Sequence, residues 1–213
     1  MKVKYFTFNF FGENTYVLYD ETGECVIVDP GCYTAEEEMA LAAFIEEMQL
    51  TPVKLLNTHC HIDHILGNDF VARKYGLELY CHPYEIDWLT QAPHYGLAMY
   101  NVRVTPSPQP AGFLEEGDTV TFGNTELQVL FAPGHSVGSI VFYDAASKKA
   151  IVGDVIFNRS VGRTDLPGGN TQTLMQSIKT KIYTLPDDTV LYPGHMEPTT
   201  VGEEKLYNPF VRG

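Results

Sequence analysis

The chain has 213 residues, of which 44% are hydrophobic and 19% are charged, and its formal net charge is −13. This balance is typical of a globular protein, and the length favours one domain over two small ones. Nucleic acids and anionic membrane surfaces require clustered lysine and arginine, and the absence of such a run argues against both as partners.

The first part of the chain predicts three strands and a helix. Aromatic and β-branched residues alternate in KVKYFTFNF, TYVLYD and ECVIVDPG, which is typical of short strands. The segment TAEEEMALAAFIEEMQL follows, with Thr34 as a favourable N-cap and Glu37 at the capping-box spacing. We therefore predict a helix there, with Leu41, Ile45 and Met48 on its apolar face.

Strands then alternate with helices. PVKLLNTH predicts a strand, GNDFVARKYG a short helix ending at Gly76, LELYCH a strand and PYEIDWLTQ a helix. The proline-rich segment QAPHYGLAMYNVRVTPSPQPAGF predicts a loop. A hairpin with its turn at Gly123-Asn124, the strands SIVFYD and KKAIVGD, the helix TQTLMQSIKTKIYTL and the strand TVLYPGH complete the chain.

Two groups of strands, each followed by helices, predict an α/β fold in which two sheets have helices on the outside. We expect residues 1–213 to form a single domain. No signal peptide or transmembrane segment is evident, because the N-terminus lacks an aliphatic stretch and no window approaches about 18 apolar residues. The four cysteines form no C-x-x-C pair, which indicates free thiols and a cytoplasmic location.

The segment NTHCHIDH carries the chemistry of this sequence. In an extended backbone, residues i and i+2 point to the same side, so His59 and His61 can face one metal ion. A turn after them could bring Asp63 and His64 to a second ion nearby. Imidazole and carboxylate groups together suit zinc, iron and manganese, so the motif predicts a metal site.

Three more loops carry possible ligands. APGHSVGS and YPGHMEP place His135 and His195 after Pro-Gly at the ends of predicted strands, and AIVGDVIF does the same for Asp154. Two-metal sites have ions about 3.5–4 Å apart. An aspartate such as Asp154 is a natural bridge, because each of its oxygens can bind one ion.

The ordered set H-x-H-x-D-H, G-H, G-D and G-H resembles the metallo-β-lactamase superfamily, and GRTDLPGG and NPF resemble its glyoxalase II-like hydrolases, here of a single-domain type. The resemblance implies a four-layer αββα sandwich with metals at one edge of the sheets. It implies that His59, His61 and His135 bind the first metal, that Asp63, His64 and His195 bind the second, and that Asp154 bridges them. Penicillin-cleaving members with two zincs generally have Cys or Ser at the Asp154 position, so we do not expect a β-lactamase.

Residues outside this set have simpler interpretations. Arg163 either shapes the mouth of the site and contacts substrate or pairs with Asp165 on a surface loop. Asp29 is expected to support the ligand loop by accepting hydrogen bonds from loop amides or from a ligand histidine. His82 and His94 belong to no motif, and we expect them to be structural or exposed.

These residues predict an enzyme that acts by hydrolysis with metal-bound hydroxide, with Asp63 and Asp154 as the catalytic carboxylates, and the resemblance implies that the bond cleaved is a thioester. The resemblance implies a hydroxyacyl thioester such as S-lactoylglutathione, although we do not expect the basic C-terminal extension with which two-domain glyoxalases bind glutathione. The alternatives are a persulfide dioxygenase with one iron and a non-enzymatic metal-binding protein. Two divalent ions are expected, with zinc as the default and iron or manganese as alternatives; the partner is a small-molecule thioester, and the oligomeric state is open.

Overall fold

The computed structural model describes all residues from 1 to 213 and contains two six-stranded sheets. The first sheet has the order β1-β2-β3-β4-β5-β6. Its strands are β1 (Lys2–Phe8), β2 (Glu13–Tyr19), β3 (Glu24–Val28), β4 (Thr51–Leu56), β5 (Leu79–Cys81) and β6 (Gly112–Phe113). The first three strands pair antiparallel, and β3 to β6 pair parallel.

The second sheet is formed by the rest of the chain. Its strands begin with β7 (Thr119–Phe122), β8 (Thr125–Phe131), β9 (Ile140–Asp144) and β10 (Lys149–Gly153). A separate small hairpin, β11 (Ile156–Phe157) and β12 (Ser160–Val161), precedes the last two strands of the sheet, β13 (Val190–Pro193) and β14 (Thr199–Thr200). The order in this sheet is β14-β13-β10-β9-β8-β7, and β10 pairs parallel only with β13.

Five α-helices accompany the sheets: α1 (Ala35–Glu47), α2 (Asn68–Tyr75), α3 (Ile86–Tyr100), α4 (Thr171–Ser177) and α5 (Val201–Tyr207). Short 3₁₀ turns span Ile62–His64 and Pro83–Glu85, and α4 continues into a π-turn at Ile178–Ile182. No helix is both long enough and apolar enough to cross a bilayer.

The layers follow from the alternation of side chains along the strands. In β3, Ile27 packs with Leu41 and Ile45 of α1, whereas Val26 and Val28 pack against the second sheet. The other face of the second sheet packs against helices, for example through Leu191 of β13. The predicted α/β sandwich of two sheets between helical layers is confirmed.

The local signals of α1 and α2 are found where they were expected, with one exception. Thr34 and Glu37 form a reciprocal capping box at the start of α1, and Gly76 ends α2 in the left-handed conformation with φ +67°. The exception is Met48, which is 43% exposed because α1 ends at Glu47 and its buried residues are Leu41 and Ile45.

The prediction of a loop beginning at Gln91 is wrong, because α3 continues to Tyr100. Pro93 lies inside this helix, where it removes one backbone donor. Burial of Leu89, Ala92 and Gly96 on the core face offsets that loss. A Cβ at Gly96 would lie 2.7 Å from Ile62 Cδ1, so the glycine allows the helix to pack closely on the ligand loop. The remaining proline-rich part, between Tyr100 and Gly112, is irregular as predicted.

Asp20 joins the two sheets. Its carboxylate, at the end of β2, accepts hydrogen bonds from the Asn124 amide (2.7 Å) and the Thr125 hydroxyl (2.9 Å) at the β7–β8 turn, and from the Thr22 amide (2.9 Å). Burial alone would raise the pKa of Asp20, but these hydrogen bonds outweigh it and lower the pKa to about 2.

We therefore expect Asp20→Asn to lower the free energy of unfolding at pH 7 by about 1–2 kcal/mol. The folded-state pKa lies below the unfolded value, so the contribution is complete above pH 4 and is lost as pH falls toward 2. Urea denaturation of both proteins at pH 7 and pH 3 measures this. Glu126→Gln, at an exposed position beside Thr125, is the control, and an equal loss in both variants would contradict the role of Asp20.

Candidate active site

Four loops that follow strands converge at one edge of the two sheets. The loop after β4 carries the histidine motif, and the loop after β8 carries His135. Asp154 follows β10, and His195 follows β13. Because β10 and β13 are parallel neighbours, their carboxyl ends deliver Asp154 and His195 to the same place.

The predicted first set of ligands is brought together. One potential ligand atom each from His59, His61 and His135 lies within 4.8 Å of the others. Nδ1 of His61 is 2.8 Å from Nε2 of His135, and all three residues are buried. Imidazole nitrogens that face one another in this way can bind one ion in common.

The predicted second set also converges. Ligand atoms of Asp63, His64 and His195 lie within 4.8 Å of one another. Oδ2 of Asp63 is 3.1 Å from Nε2 of His195 and 3.6 Å from Nε2 of His64. A carboxylate and two imidazoles at these separations could hold a second divalent ion.

Asp154 lies between the two sets. Its Oδ2 is 3.4 Å from Nε2 of His135 and 3.6 Å from Nε2 of His195, while its Oδ1 is 3.4 Å from Nε2 of His64. The carboxylate therefore faces both sets at once, as a bridging ligand must. All seven residues expected to bind metal meet at this point.

Asp29 supports the ligand loop from behind. Its carboxylate accepts hydrogen bonds from the Thr58 amide (2.7 Å) and the Thr58 hydroxyl (2.5 Å), and lies 3.2 Å from Nδ1 of His64. His64 thus presents one nitrogen to Asp29 and the other to Asp63 and Asp154. Asp29, His59 and His64 are close enough to form a third possible metal cluster, but Asp29 is occupied by Thr58, which favours the supporting role.

The residues fit divalent metals on two further grounds. His59 Nε2, His64 Nε2 and Asp154 Oδ1 are buried and have no hydrogen-bond partner in the protein, an unfavourable state that a bound ion would relieve. Burial also holds the pKa of His59 well below its usual value and, with the nearby His135, lowers the pKa of His61 to about 3. Both imidazoles are therefore neutral at pH 7 and can donate a lone pair.

The glycines before the ligands are required by close contacts. A Cβ at Gly194 would overlap Asp154 Oδ1, and one at Gly153, where φ is +49°, would overlap the Thr58 hydroxyl. The G-D and G-H pairs of the sequence therefore have a steric cause, since only glycine lets these backbones pass so near the carboxylate and the ligand loop.

Sequence reasoning missed Glu85, which is fully buried. One of its oxygens accepts a hydrogen bond from the Cys60 amide (2.7 Å), between His59 and His61. The other accepts from the Ser136 hydroxyl (2.5 Å) and the Gly138 amide (2.7 Å), next to His135. Glu85 thus joins the two loops of the first metal set. No motif marked it, because a glutamate before a helix is usually exposed.

A cavity of about 350 Å³ opens on this cluster. Asp63, Asp154, His61, His135 and His195 form its polar floor, and nine of its 16 lining residues are hydrophobic. Trp88, another residue that sequence reasoning missed, packs its ring 4.9 Å from the His61 ring. This arrangement places apolar walls around a polar floor, as in most small-molecule sites.

Arg163 lines the cavity and also pairs with Asp165, so each of its two expected interpretations has structural support. Its guanidinium makes two hydrogen bonds of 2.7 Å to Asp165, and its side chain is 59% exposed. Its backbone carbonyl is 2.8 Å from Nδ1 of His135 and orients that ring. A contact between Arg163 and substrate stays a prediction.

The two histidines outside the motif lie apart from the cluster. His82 is buried and stacks on Phe131 with ring centroids 4.5 Å apart, and its Nδ1 accepts a hydrogen bond from the Tyr84 amide. His94 is exposed on α3. Neither belongs to a group that could bind a metal.

Residues 9–195 match the family model of the metallo-β-lactamase superfamily, so the chain belongs to this superfamily of metallohydrolases. A probable metallo-hydrolase, YqgX of Bacillus subtilis, is 41% identical over 94% of this chain and 92% of its own length. The hydroxyacylglutathione hydrolase GloC of Haemophilus influenzae is 33% identical over 94% of this chain and 93% of its own length.

Solved structures agree on the fold and point to several chemistries. The BLEG-1 B3 metallo-β-lactamase superposes with a TM-score of 0.92 at 35% identity, covering all of both chains. A di-iron-bound form of TTHA1623 superposes with a TM-score of 0.87 at 35% identity, and the match covers 98% of this chain and all of the TTHA1623 chain. ETHE1 from Myxococcus xanthus superposes with a TM-score of 0.77 at 28% identity, and the match covers 98% of this chain and 84% of the ETHE1 chain.

We expect the protein to bind two divalent ions per chain, and Asp154→Ala to retain at most one, because the shared carboxylate is lost. Native mass spectrometry of zinc-loaded, desalted protein measures the stoichiometry. Trp88 is the only tryptophan and lies against His61, so quenching of its fluorescence by Co²⁺ reports binding at the first set. His94→Ala is the control with an unrelated exposed histidine, and two retained ions in Asp154→Ala would contradict the bridge.

We expect Glu85→Gln to weaken the first ion more than the second, because an amide oxygen and an amide nitrogen cannot together accept from Cys60, Ser136 and Gly138. Loss of a supporting partner typically costs about 10–100-fold in metal affinity. Competition with a zinc chelator, followed through Trp88, measures the change. Glu78→Gln, at an exposed glutamate, is the control; unchanged zinc affinity in a folded Glu85→Gln would disprove the role.

Proposed function

We propose that the protein is a metal-dependent thioesterase that hydrolyses a hydroxyacyl thioester of the S-lactoylglutathione type. The observation that carries this proposal is the pair of carboxylates, Asp63 and Asp154, on the floor of the cavity within the two His/Asp sets. The similarity to GloC supports a thioester as substrate. Zinc is the proposed default metal, and iron or manganese are the alternatives, because imidazole with carboxylate suits all three.

Divalent ions in such a site act as Lewis acids and lower the pKa of water to about 7. His59, His61 and His135 would hold one ion and Asp63, His64 and His195 the other, with Asp154 between them. The chain itself offers no serine or cysteine nucleophile at the cavity, since none lines it and all four cysteines are buried. Water is therefore the proposed nucleophile.

Asp63 has the position to orient that water. It lies on the cavity floor. Burial alone would raise its pKa, but charge from His64 and a hydrogen bond from His195 outweigh burial and lower it, so the carboxylate is ionised and can accept the hydrogen bond that orients a water molecule. Departure of the thiol needs little help from an acid, because thiols have pKa values near 8.5 and leave readily as thiolates.

We expect zinc-loaded protein to hydrolyse S-lactoylglutathione and to lose this activity on chelation. Asp63→Asn should lower kcat by about 10²–10⁴-fold, the usual contribution of a positioned proton acceptor. Loss of thioester absorbance at 240 nm follows the reaction, and circular dichroism checks the fold. Asp69→Asn is the nearby carboxylate control. A folded Asp63→Asn variant with the parent's kcat would disprove the role of Asp63.

An iron-dependent persulfide dioxygenase is the second candidate. The di-iron form of TTHA1623, at 35% identity, shows that a similar chain binds iron. Oxygen uptake by iron-loaded protein with glutathione persulfide, without thioester hydrolysis, would favour it. The similarity to BLEG-1 makes a chromogenic β-lactam a necessary comparison substrate. Metal binding without turnover of any of these compounds would favour a non-enzymatic role.

We also propose a cytoplasmic location. All four cysteines are free and buried, and such thiols suit a reducing compartment.

A further inference from the structure

The walls of the cavity carry almost no charge. Apart from the residues of the floor, the lining is aromatic and aliphatic, and Arg163 is its only lysine or arginine. The guanidinium of Arg163 is already paired with Asp165 through two hydrogen bonds of 2.7 Å. A glutathione arm carries carboxylates and an ammonium group, and the walls provide no free cation to pair with those carboxylates.

A strip of aromatic rings leads from the cavity to the surface. We define the aromatic strip as Tyr33, Phe10, Phe11 and Tyr100, whose successive ring centroids are 6.2, 4.5 and 5.4 Å apart. Phe11 and Tyr100 line the cavity, whereas Phe10 is 62% exposed and Tyr33 39% exposed. Large exposed aromatics that continue a binding cavity are typical of a recognition surface for an apolar ligand.

Size indicates which part of the substrate uses the strip. Ligand pockets span roughly 300–1,000 Å³, so a cavity of about 350 Å³ is small. With the reacting carbonyl at the floor, the acyl group occupies the inner part of this space, and the thiol arm extends away from the floor toward the mouth. The strip is an apolar continuation of the cavity at that mouth.

We propose that the thiol arm of the substrate is uncharged and apolar and lies along the aromatic strip, and that glutathione is disfavoured. This inference rests on the proposed thioesterase function and changes the class of thiol from a charged peptide to a neutral, aromatic or aliphatic one. The floor and the hydrolytic chemistry are unchanged.

Binding can be measured without turnover. Benzyl acetonyl sulfide and S-acetonylglutathione share an acetonyl group in place of the acyl group, differ only in the thiol arm and contain no thioester bond to hydrolyse. Trp88 lines the cavity and is the only tryptophan, so its fluorescence in the zinc-loaded protein reports both ligands. We expect the Kd of the benzyl compound to be at least about tenfold lower. Equal or tighter binding of the glutathione compound would overturn the inference.

Variants separate the strip from general apolar binding. Phe11→Ala and Tyr100→Ala should each raise the Kd of the benzyl compound about three- to tenfold, because each removes a ring contact with the benzyl group. Both substitutions should leave the Kd of S-acetonylglutathione nearly unchanged. Phe210→Ala, at an aromatic residue that is 61% exposed and outside the cavity, is the matched control. An equal effect of all three variants would contradict the strip.

Asp165→Asn tests the charge argument by releasing Arg163. We expect this variant to lower the Kd of S-acetonylglutathione and to leave the Kd of the benzyl compound unchanged. A variant in which neither Kd changes would contradict the role given to the Arg163–Asp165 pair. Hydrolysis of the matched lactoyl thioesters of benzyl mercaptan and glutathione then tests the two proposals separately. Preference for the glutathione ester disproves only the inference on the thiol arm, whereas failure to hydrolyse either ester disproves the thioesterase.

Discussion

The Asp154 carboxylate is the interaction on which the site depends. It stands at the end of β10 in the second sheet and lies 3.4 Å from His64, which the first sheet supplies, and 3.4 Å from His135 of its own sheet. A buried carboxylate is costly unless it is compensated. The imidazoles of His64, His135 and His195 face this carboxylate from both sheets, and a bound divalent ion would compensate its charge further, so the geometry of the site and the packing of the sheets depend on each other.

Supporting residues hold the ligands from behind, where the substrate does not reach. Asp29 accepts from Thr58 and faces His64, and Glu85 joins the loops of the first metal set. Both carboxylates are buried and receive backbone amides, which fixes loops that have no regular secondary structure of their own. The cluster is therefore held in place by the scaffold rather than by metal alone, leaving the cavity walls free to determine which substrates enter.

Much of the fold could be read from local signals. The capping box at Thr34, the end of α2 at Gly76 and the alternation in β3 depend on neighbours in sequence, and they were predicted correctly. The continuation of α3 through Pro93 could not be predicted in this way. Its cause is the burial of Leu89, Ala92 and Gly96 against residues distant in sequence, which outweighs the weak local preference.

The sequence by itself determined the ligand types, their order and their position at strand ends, because metal chemistry restricts the residues and the H-x-H-x-D-H spacing is local. The position of Asp154 between the two sets was expected from the resemblance, but only the tertiary structure decided that Glu85 supports one of the sets and that aromatic side chains form the walls. These features join segments far apart in the chain, and their physical cause is the packing of two sheets, which no local pattern records.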